Sequence, residues 1–434
     1  MVENIEEQIL DQETIEAIPE QQNERVVTVV LTADNHLGYA AFGQSSRKRE
    51  ERQQRLRRAF QQATDFAIAQ GVDLFIQAGD LFDTTAPDER DRSFVAARLA
   101  DLKQAGVHTF ALGGVHDTPG TEQAGEETPA PQLSYARLGA LHYFPPQSDT
   151  PELEPVHLDI HGVAVAICGV GVLAGQEGDP LKRLRVQPDI ERAAIPILVL
   201  HAPIEDLAAG SALLDTRAQV SHSSIEKQSA FRYILAGYQH NYTHMRIGQT
   251  DVIVAGATQH VDFSMPDYAP GFVFLGLAAD GLRWCTHVKV DAPVLQRLEI
   301  QVQELWPTSE TNETPGSPTE IILERLRPLC DAAAMVQLRL VGALTRKKYH
   351  QLDLNQIRRY GEENSFALAI DDSALSLLPE QDEAEAGERL SPREELILLA
   401  DEWIAIASGE QEKQALRITK EELLLAMDGI TGKR

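Results

Sequence analysis

Cysteine is scarce in this 434-residue chain: Cys168, Cys285 and Cys330 are the three, far apart and odd in number. Such a set excludes a disulfide scaffold or a CxxC metal site and fits a reducing cytosol, so a cytoplasmic location is expected. Long apolar runs are missing too. No stretch approaches the roughly 18 residues of a membrane span, so no membrane partner is expected. The first residues, MVENIEEQILDQETIEAIPEQ, lack the basic and apolar segments of a secretory leader, and none is expected. Bases are outnumbered, 39 Lys and Arg against 66 Asp and Glu, for a net charge of −27. Lys and Arg supply nonspecific affinity for nucleic acid, so this balance excludes broad coating of DNA and leaves room only for a local basic channel.

What is present is an ordinary globular composition, 43% hydrophobic and 24% charged, long enough for two or three domains with a sizeable core. The excess acid is concentrated at the ends. Residues 1–24 read as an acidic tail, and residues 380–434 as an acidic linker followed by two helices, 391–407 and 419–428, with starts at Ser391-Pro392 and at Thr419 with Glu422. Between them, VVTVVLTA (26–33) and DLFIQAG (73–79) read as strands buried on both faces, each followed by a helical stretch, 47–70 and 88–105. Leu56, Phe60, Ala63 and Ala67 are spaced for one face of the first helix. VHTFALGG (107–114) is a third strand, and VHLDI-HG-VAVAICGV reads as a hairpin turning at His161-Gly162. PILVLH, RYILAG, DVIVAG and GFVFLGL add strands without intervening long helices, as in two stacked mixed sheets. Residues 25–293 therefore form one α/β domain. After the polar stretch 307–319, a helix near 319–330, a strand at 335–343, a helix from about Leu352 and a strand at 365–370 define a small α/β module, 294–379, whose first strand could come from 295–304.

Polar residues recur where the buried strands end: Asp34-Asn35-His36, Gly79-Asp80-Leu81-Phe82-Asp83, Gly114-Val115-His116-Asp117, His201, and Gly237-Tyr238-Gln239-His240. Ligands of open α/β sheets sit beyond the carboxyl ends of strands. Carboxylates and imidazoles gathered there suit Mn²⁺, Zn²⁺ or Fe²⁺. Each motif alone is commonly a turn, a helix cap or a core histidine. Five of them in order, each after a buried strand, are not.

That order resembles the calcineurin-like metallophosphoesterases, whose motifs run D-x-H, G-D-x-x-D, G-N-H-[DE], H and G-H-x-H. Within them, TADNHLG, QAGDLFD and VAGATQHVDFS…GFVFLGL resemble the SbcD-type DNA exonucleases, including the YhaO-like branch, nuclease subunits that act beside a coiled-coil ATPase such as SbcC. The likeness spans about residues 26–290, and the module 294–379 resembles the capping domain less specifically. It implies a two-layer mixed β-sandwich flanked by helices, a capping domain and a C-terminal helical segment. It also implies two metals ~3.5–4 Å apart. Asp34, His36, Asp80 and His240 match the first set, with Asp80 bridging. The second set needs an Asn where Val115 stands, His201, and a His where Tyr238 stands. Both departures fall on one metal, so one tightly bound divalent ion per chain is expected, Mn ahead of Zn or Fe. The resemblance places His116 beside the scissile phosphate, with Asp83 or a neighbouring acid as its partner; Asp117 is read as a cap.

Arg47, Lys48, Arg49 and Arg52 belong to the concentrated basic segment 46–58, which in the family faces DNA or the partner subunit; the plainer reading is a solvated helix face with i,i+4 pairs. TRKKYH (345–350) is a smaller candidate of the same kind. Leu396, Leu399, Trp403 and Ile406 form a stripe that either packs on the core or docks an SbcC-like ATPase. The expected function is an SbcD-like subunit of a DNA-processing complex, a metal-dependent nuclease attenuated by the missing ligands, with DNA and the ATPase as partners and a homodimer as a further expectation. A catalytically inactive DNA- or ATPase-binding scaffold and a small-molecule phosphodiesterase are the alternatives. The extra module and tail argue against the last.

Overall fold

The structure is a computed structural model that describes residues 26–39, 46–119, 129–145, 152–173, 175–207, 217–261, 268–306 and 317–378, with helical residues 397–401, 403–404, 413–420 and 423 beyond them. The first part alternates strand and helix: β1 (Val27–Thr32), α1 (Ser46–Gln70), β2 (Leu74–Ala78), α2 (Glu89–Gln104), β3 (His108–Leu112), α3 (Gln132–Arg137) and β4 (His142–Phe144). The strand-rich part follows with β5 (Glu152–Leu153), β6 (Val156–Ile160), β7 (Val163–Gly171), β8 (Arg185–Val186), β9 (Ile195–His201), α4 (His222–Lys227), β10 (Tyr233–Gly237), β11 (Thr243–Ile247), β12 (Thr250–Val254), β13 (Gly271–Ala278) and β14 (Gly281–Lys289). The chain then runs through β15 (Leu295–Gln301), α5 (Pro318–Leu326), β16 (Met335–Thr345), α6 (Arg346–Tyr349), α7 (Leu354–Asn364) and β17 (Ala367–Leu378).

Two six-stranded mixed sheets, ordered β14-β13-β1-β2-β3-β4 and β11-β12-β10-β9-β7-β6, face each other. Between them pack Val29, Leu31, Ile76 and Leu112 from one sheet and Val165, Ile197, Val199 and Leu235 from the other. The alternate residues of β1 and β2, Val30 and Phe75, point the other way, into a second apolar layer with Leu56, Phe60, Ala63 and Ala67 of α1. This explains the unbroken apolar runs: a strand covered on both faces has no polar side to show. His161 (φ 53°) and Gly162 (φ 76°) make the tight turn between β6 and β7, both in the left-handed region that such a hairpin demands.

The small module has its own parallel sheet, ordered β15-β16-β17, and its own core of Ile300, Ile322, Leu338, Leu340 and Ile357. Ser317 caps α5 in a reciprocal capping box with Glu320, and Pro318 takes the first helical position, so the polar stretch read as linker ends two residues early. The last strand runs to Leu378 rather than 370: a register shift between Arg339 and Val341 passes over Asp372 and Ser373, and pairing resumes at Ala374. Strands β11 and β14 went unread in the sequence: both are edge strands with half-exposed faces and mixed polarity. In the tail, residues 413–420 are already helical and the Thr419 hydroxyl bonds back to the Ala415 carbonyl at 3.0 Å, so Thr419 is inside a helix and not its start. The other expected start, Ser391-Pro392, lies outside the described residues.

On β14, the His287 ring stacks on Tyr242 at 4.6 Å with 2° between planes. Burial, and then the neighbouring Lys289 charge, push His287 down to about 4 from the ordinary 6.5. The unfolded chain therefore binds the proton first, and the site's full stability, present above pH 6.5, is lost as pH falls toward 4. His287→Phe keeps the stack and removes the proton. Its unfolding free energy relative to the parent is expected to improve by about 1–2 kcal/mol between pH 7 and pH 4, allowing for solvent screening. Denaturant titrations at the two pH values check this; an unchanged difference would refute it.

Candidate metal centre

The five polar stretches come together because they all follow the carboxyl ends of parallel strands: β1, β2 and β3 in one sheet, β9 and β10 in the other. The first two are laced to each other. Asp34 N–H donates to the Gly79 carbonyl (3.0 Å), His36 N–H to the Asp80 carbonyl (3.1 Å) and Leu37 N–H to the Leu81 carbonyl (3.0 Å). Asp34, His36, Asp80 and Tyr238 all hold positive φ, between 46° and 85°. Side chains other than glycine take that region at a cost, which persists where surrounding structure over-determines it. A Cβ on Gly114 would fall 2.1 Å from Asp80 Oδ1, so only glycine lets the third loop lie against that carboxylate.

The Asp34 carboxylate accepts the Tyr238 N–H at 3.0 Å, and Asp80 Oδ1 accepts the His116 N–H at 2.9 Å. His201 Nδ1 lies 2.7 Å from the Ala78 carbonyl. A carbonyl only accepts, so Nδ1 carries the proton, and Nε2 points at Asp80 Oδ2, 3.3 Å away. His36 Nδ1 lies 3.0 Å from Asp83 Oδ1, which likewise leaves its Nε2 free of that partner. Both Nε2 atoms are buried and have no hydrogen-bond partner among the described residues. Ligand atoms of Asp34, His36 and His240, and of Asp34, Asp80 and His201, lie within 4.8 Å of one another in each group. Two orphaned imidazole nitrogens facing buried carboxylates are the donor set of a divalent cation, and these residues fit one.

The electrostatics agree. Burial opposes charge on His36, yet the bond to Asp83 and the charges of Asp80 and Asp34 outweigh it and raise its pKa. Burial likewise opposes the His201 cation, but Asp80 and then Asp34 push it up to about 9. Burial works against the Asp80 anion, and His201, His36 and His116 still hold it below the usual carboxylate range. Asp34, buried most unfavourably, is raised despite His201 and His240. The cluster is a sink for positive charge.

A model of the calcineurin-like phosphoesterase family matches residues 27–242. The DNA double-strand break repair protein Mre11 of Saccharolobus solfataricus is 25% identical over 280 residues, 64% of this chain and 65% of that one. Its namesake from Sulfurisphaera tokodaii is 32% identical over 281 residues, 64% of each chain, and that from Thermoplasma acidophilum 27% over 229, covering 52% and 55%. The chain thus spans less than two thirds of the length of these three relatives. It carries a calcineurin-like phosphoesterase domain homologous to the Mre11/SbcD nuclease family.

In this domain the metal-binding cluster is incomplete. Val115 is half-buried against the outer core, and the buried Tyr238 ring meets the His201 ring edge-on at 5.4 Å. Valine offers no ligand atom. His116 is half exposed, its ring 4.8 Å from that of His36, with Nδ1 3.7 Å from Asp83 Oδ1. One Asp83 oxygen therefore faces both histidines.

The basic segment is placed differently from the reading as a DNA contact. Arg47 and Arg49 are exposed, but Lys48 donates to the Glu362 and Ser365 carbonyls of the small module. Arg52 is fully buried, which corrects its reading as a nucleic-acid contact: α1 packs this side chain inward against the domain and module.

Sequence reasoning underrated Asp117. It is fully buried and accepts N–H bonds from Leu81 (2.8 Å), Phe82 (3.2 Å), Gly114 (2.9 Å) and the Gln132 amide, tying the second and third loops together. Burial, then the Asp80 charge, push it up to about 6. Asn35 was passed over as the variable position of D-x-H. Its amide donates to Thr32 and Thr258, and Gln77 donates to it and to the Gly79 carbonyl. The available signal was Gln77, a polar residue in an otherwise apolar strand. Asp117→Ala strips four buried donors of their acceptor and is expected to lower stability by about 3 kcal/mol. Urea unfolding measures it; a loss below about 0.5 kcal/mol would show that the loops do not depend on this carboxylate.

Proposed function

We propose that this protein is an SbcD-like subunit of a DNA-processing complex that hydrolyses phosphodiesters slowly with one tightly held divalent ion. The observation that carries the reading is the convergence of Asp34, His36, Asp80, His201 and His240 on one cleft, with two buried imidazole nitrogens turned into it. Homology to the Mre11 relatives supports DNA as the substrate class. Asp34, His36, Asp80 and His240 hold the ion, with His201 beside them, and Mn²⁺ suits this oxygen and nitrogen set, with Zn²⁺ or Fe²⁺ as alternatives. A divalent ion bound there acidifies a water and draws charge off the phosphoryl oxygens. Asp83 holds the His36 ring in the tautomer that leaves Nε2 to the cleft. In this reading His116, half exposed, protonates the leaving oxygen; its Nδ1 lies 3.7 Å from Asp83 Oδ1 and its backbone N–H donates to Asp80, which supports the role.

Attenuation follows from Val115 and Tyr238. A second ion has no ligand from valine, and a phenol, with an ordinary pKa of about 10, ligates Mn²⁺ poorly. The same two residues favour the second reading, a scaffold that binds DNA or an ATPase without cutting. No described helix is long and apolar enough to cross a membrane; a cytoplasmic location and a homodimer remain part of the proposal.

Elemental analysis after dialysis is expected to return about one equivalent of metal per chain, and Val115→Asn with Tyr238→His to add a second and raise manganese-dependent cleavage of labelled DNA by about 10²-fold. Two tight equivalents in the parent, or a double variant that gains neither metal nor rate, would overturn the single-ion reading. A metal-loaded parent with no cleavage above a His116→Ala control would favour the scaffold.

The tail supports a partner. Leu399 and Trp403 lie on helical residues and are exposed, Trp403 by 57%, while Leu396 and Ile406 lie outside the described residues. An exposed tryptophan beside leucines on a helix suits a groove on an SbcC-like ATPase. Deleting residues 388–434 is expected to leave the main thermal transition in place, and Trp403→Ala to weaken capture of the ATPase about tenfold with metal content unchanged. Loss of the main transition on deletion would instead make the stripe part of the core.

A further inference from the structure

The largest fully buried side chain of the described residues is a cation, Arg52. Three of its contacts come from separate stretches of chain. Nη1 lies 3.8 Å from Met335 Sδ, at the start of β16 in the small module. Nη2 donates to the His260 carbonyl, and the guanidinium carbon sits 5.8 Å from the centre of the Tyr39 ring. Taking a guanidinium out of water costs several kcal/mol, so Arg52 is held only where directed contacts of this kind are in place together.

One of the three stretches, that of Tyr39, also holds proposed metal ligands, and a second is bonded to the loop that carries another. Tyr39 N–H donates to the His36 carbonyl at 3.0 Å, and the two rings meet edge-on at 6.5 Å. In the stretch leading to His260, Ala257 N–H donates to the His240 carbonyl at 2.9 Å and Thr258 accepts from Asn35, between Asp34 and His36. The third stretch is the module. Neighbours on α1 reach the module by different contacts: Lys48 donates to the Ser365 carbonyl at 2.8 Å, and the Arg55 guanidinium lies 4.6 Å from the centre of the Phe366 ring.

We propose that Arg52 is a positioning residue that couples the seating of the small module to the placement of His36 and His240, so that module and metal centre are set together. This rests on reading the strand-end cluster as a metal site. Coupling of this kind is reciprocal: if seating the module favours the metal, the metal must favour the seated module by the same factor. Arg52 transmits it because one planar group bonds a carbonyl of the stretch that braces the His240 loop and faces a ring beside His36.

The test uses the full chain and Mn²⁺ alone as probe. Affinity is read by electron paramagnetic resonance of free Mn²⁺ for the parent, Arg52→Met, Arg52→Lys, and Lys48→Ala with Arg55→Ala. Arg52→Met is expected to weaken binding about tenfold or more, and Arg52→Lys, which keeps charge and a donor, to recover part of it. The Lys48/Arg55 pair, which lacks the links to the ligand loops, is expected to stay within about twofold of the parent. In parallel, Mn²⁺ should slow amide hydrogen exchange across β16 near Met335 in the parent, and Arg52→Met should abolish that protection. A folded Arg52→Met that binds Mn²⁺ within about twofold of the parent overturns the proposal. If that variant does not fold, the parent exchange data decide, because no Mn²⁺-dependent protection near Met335 also overturns it. A parent that binds no Mn²⁺ at all is a separate result, and it removes the metal reading and this proposal together.

Discussion

The candidate metal centre depends on one short backbone ladder, the three hydrogen bonds that lace residues 34–37 to residues 79–81. It forces Asp34, His36 and Asp80 into left-handed backbone that these side chains do not otherwise favour. The strain is local, but the restraint is broad. Asp117 clamps the second loop to the third by accepting the Leu81 and Phe82 N–H groups, it also accepts from Gly114 and Gln132, and Asn35 and Gln77 brace the first loop against the second. Five functional side chains are thereby held by packing and hydrogen bonds already satisfied elsewhere, which is how a site keeps its geometry without a ligand to organise it.

The same frame explains how half of the cluster could change while the other half stayed whole. Val115 packs against the apolar cluster that includes Leu198, Leu200 and Ala236, and the Tyr238 ring meets the His201 imidazole edge. Both are apolar or nearly so, and they add buried contact where the family's pattern would place ligands. The fold therefore does not need the second set, and the first set does not need the second to be positioned.

Charge is arranged with similar economy. In a chain of net charge −27, two of the seven basic side chains of α1, Arg52 and Arg57, are buried, and Lys48 and Arg55 are half-buried. Arg57 is bonded to the buried Asp91 at 2.7 Å, Lys48 reaches module carbonyls, and Arg52 lies at the junction of two loops and the module. Their role there is to join parts, which leaves Arg47 and Arg49 as the exposed basic residues of the segment's start.

Periodicity and strand punctuation were enough to read the two-sheet core, the α1 face and the His161-Gly162 turn, because a strand buried on both faces and a helix buried on one leave unmistakable apolar patterns. The strand-end motifs were legible for the same reason: each stood where an apolar run stopped. Edge strands β11 and β14 were not legible, since half-exposed edges carry no clear alternation. Nor were the roles of Arg52, Asp117 and Gln77, whose neighbours lie up to 283 residues away in the chain. By itself, then, the sequence determined which residues end each strand and which ligands the cluster could contain. Only the tertiary structure decided that Arg52 faces inward and that Asp83 serves two histidines, because burial and partnership are set by the packing of distant segments and leave no trace in local spacing.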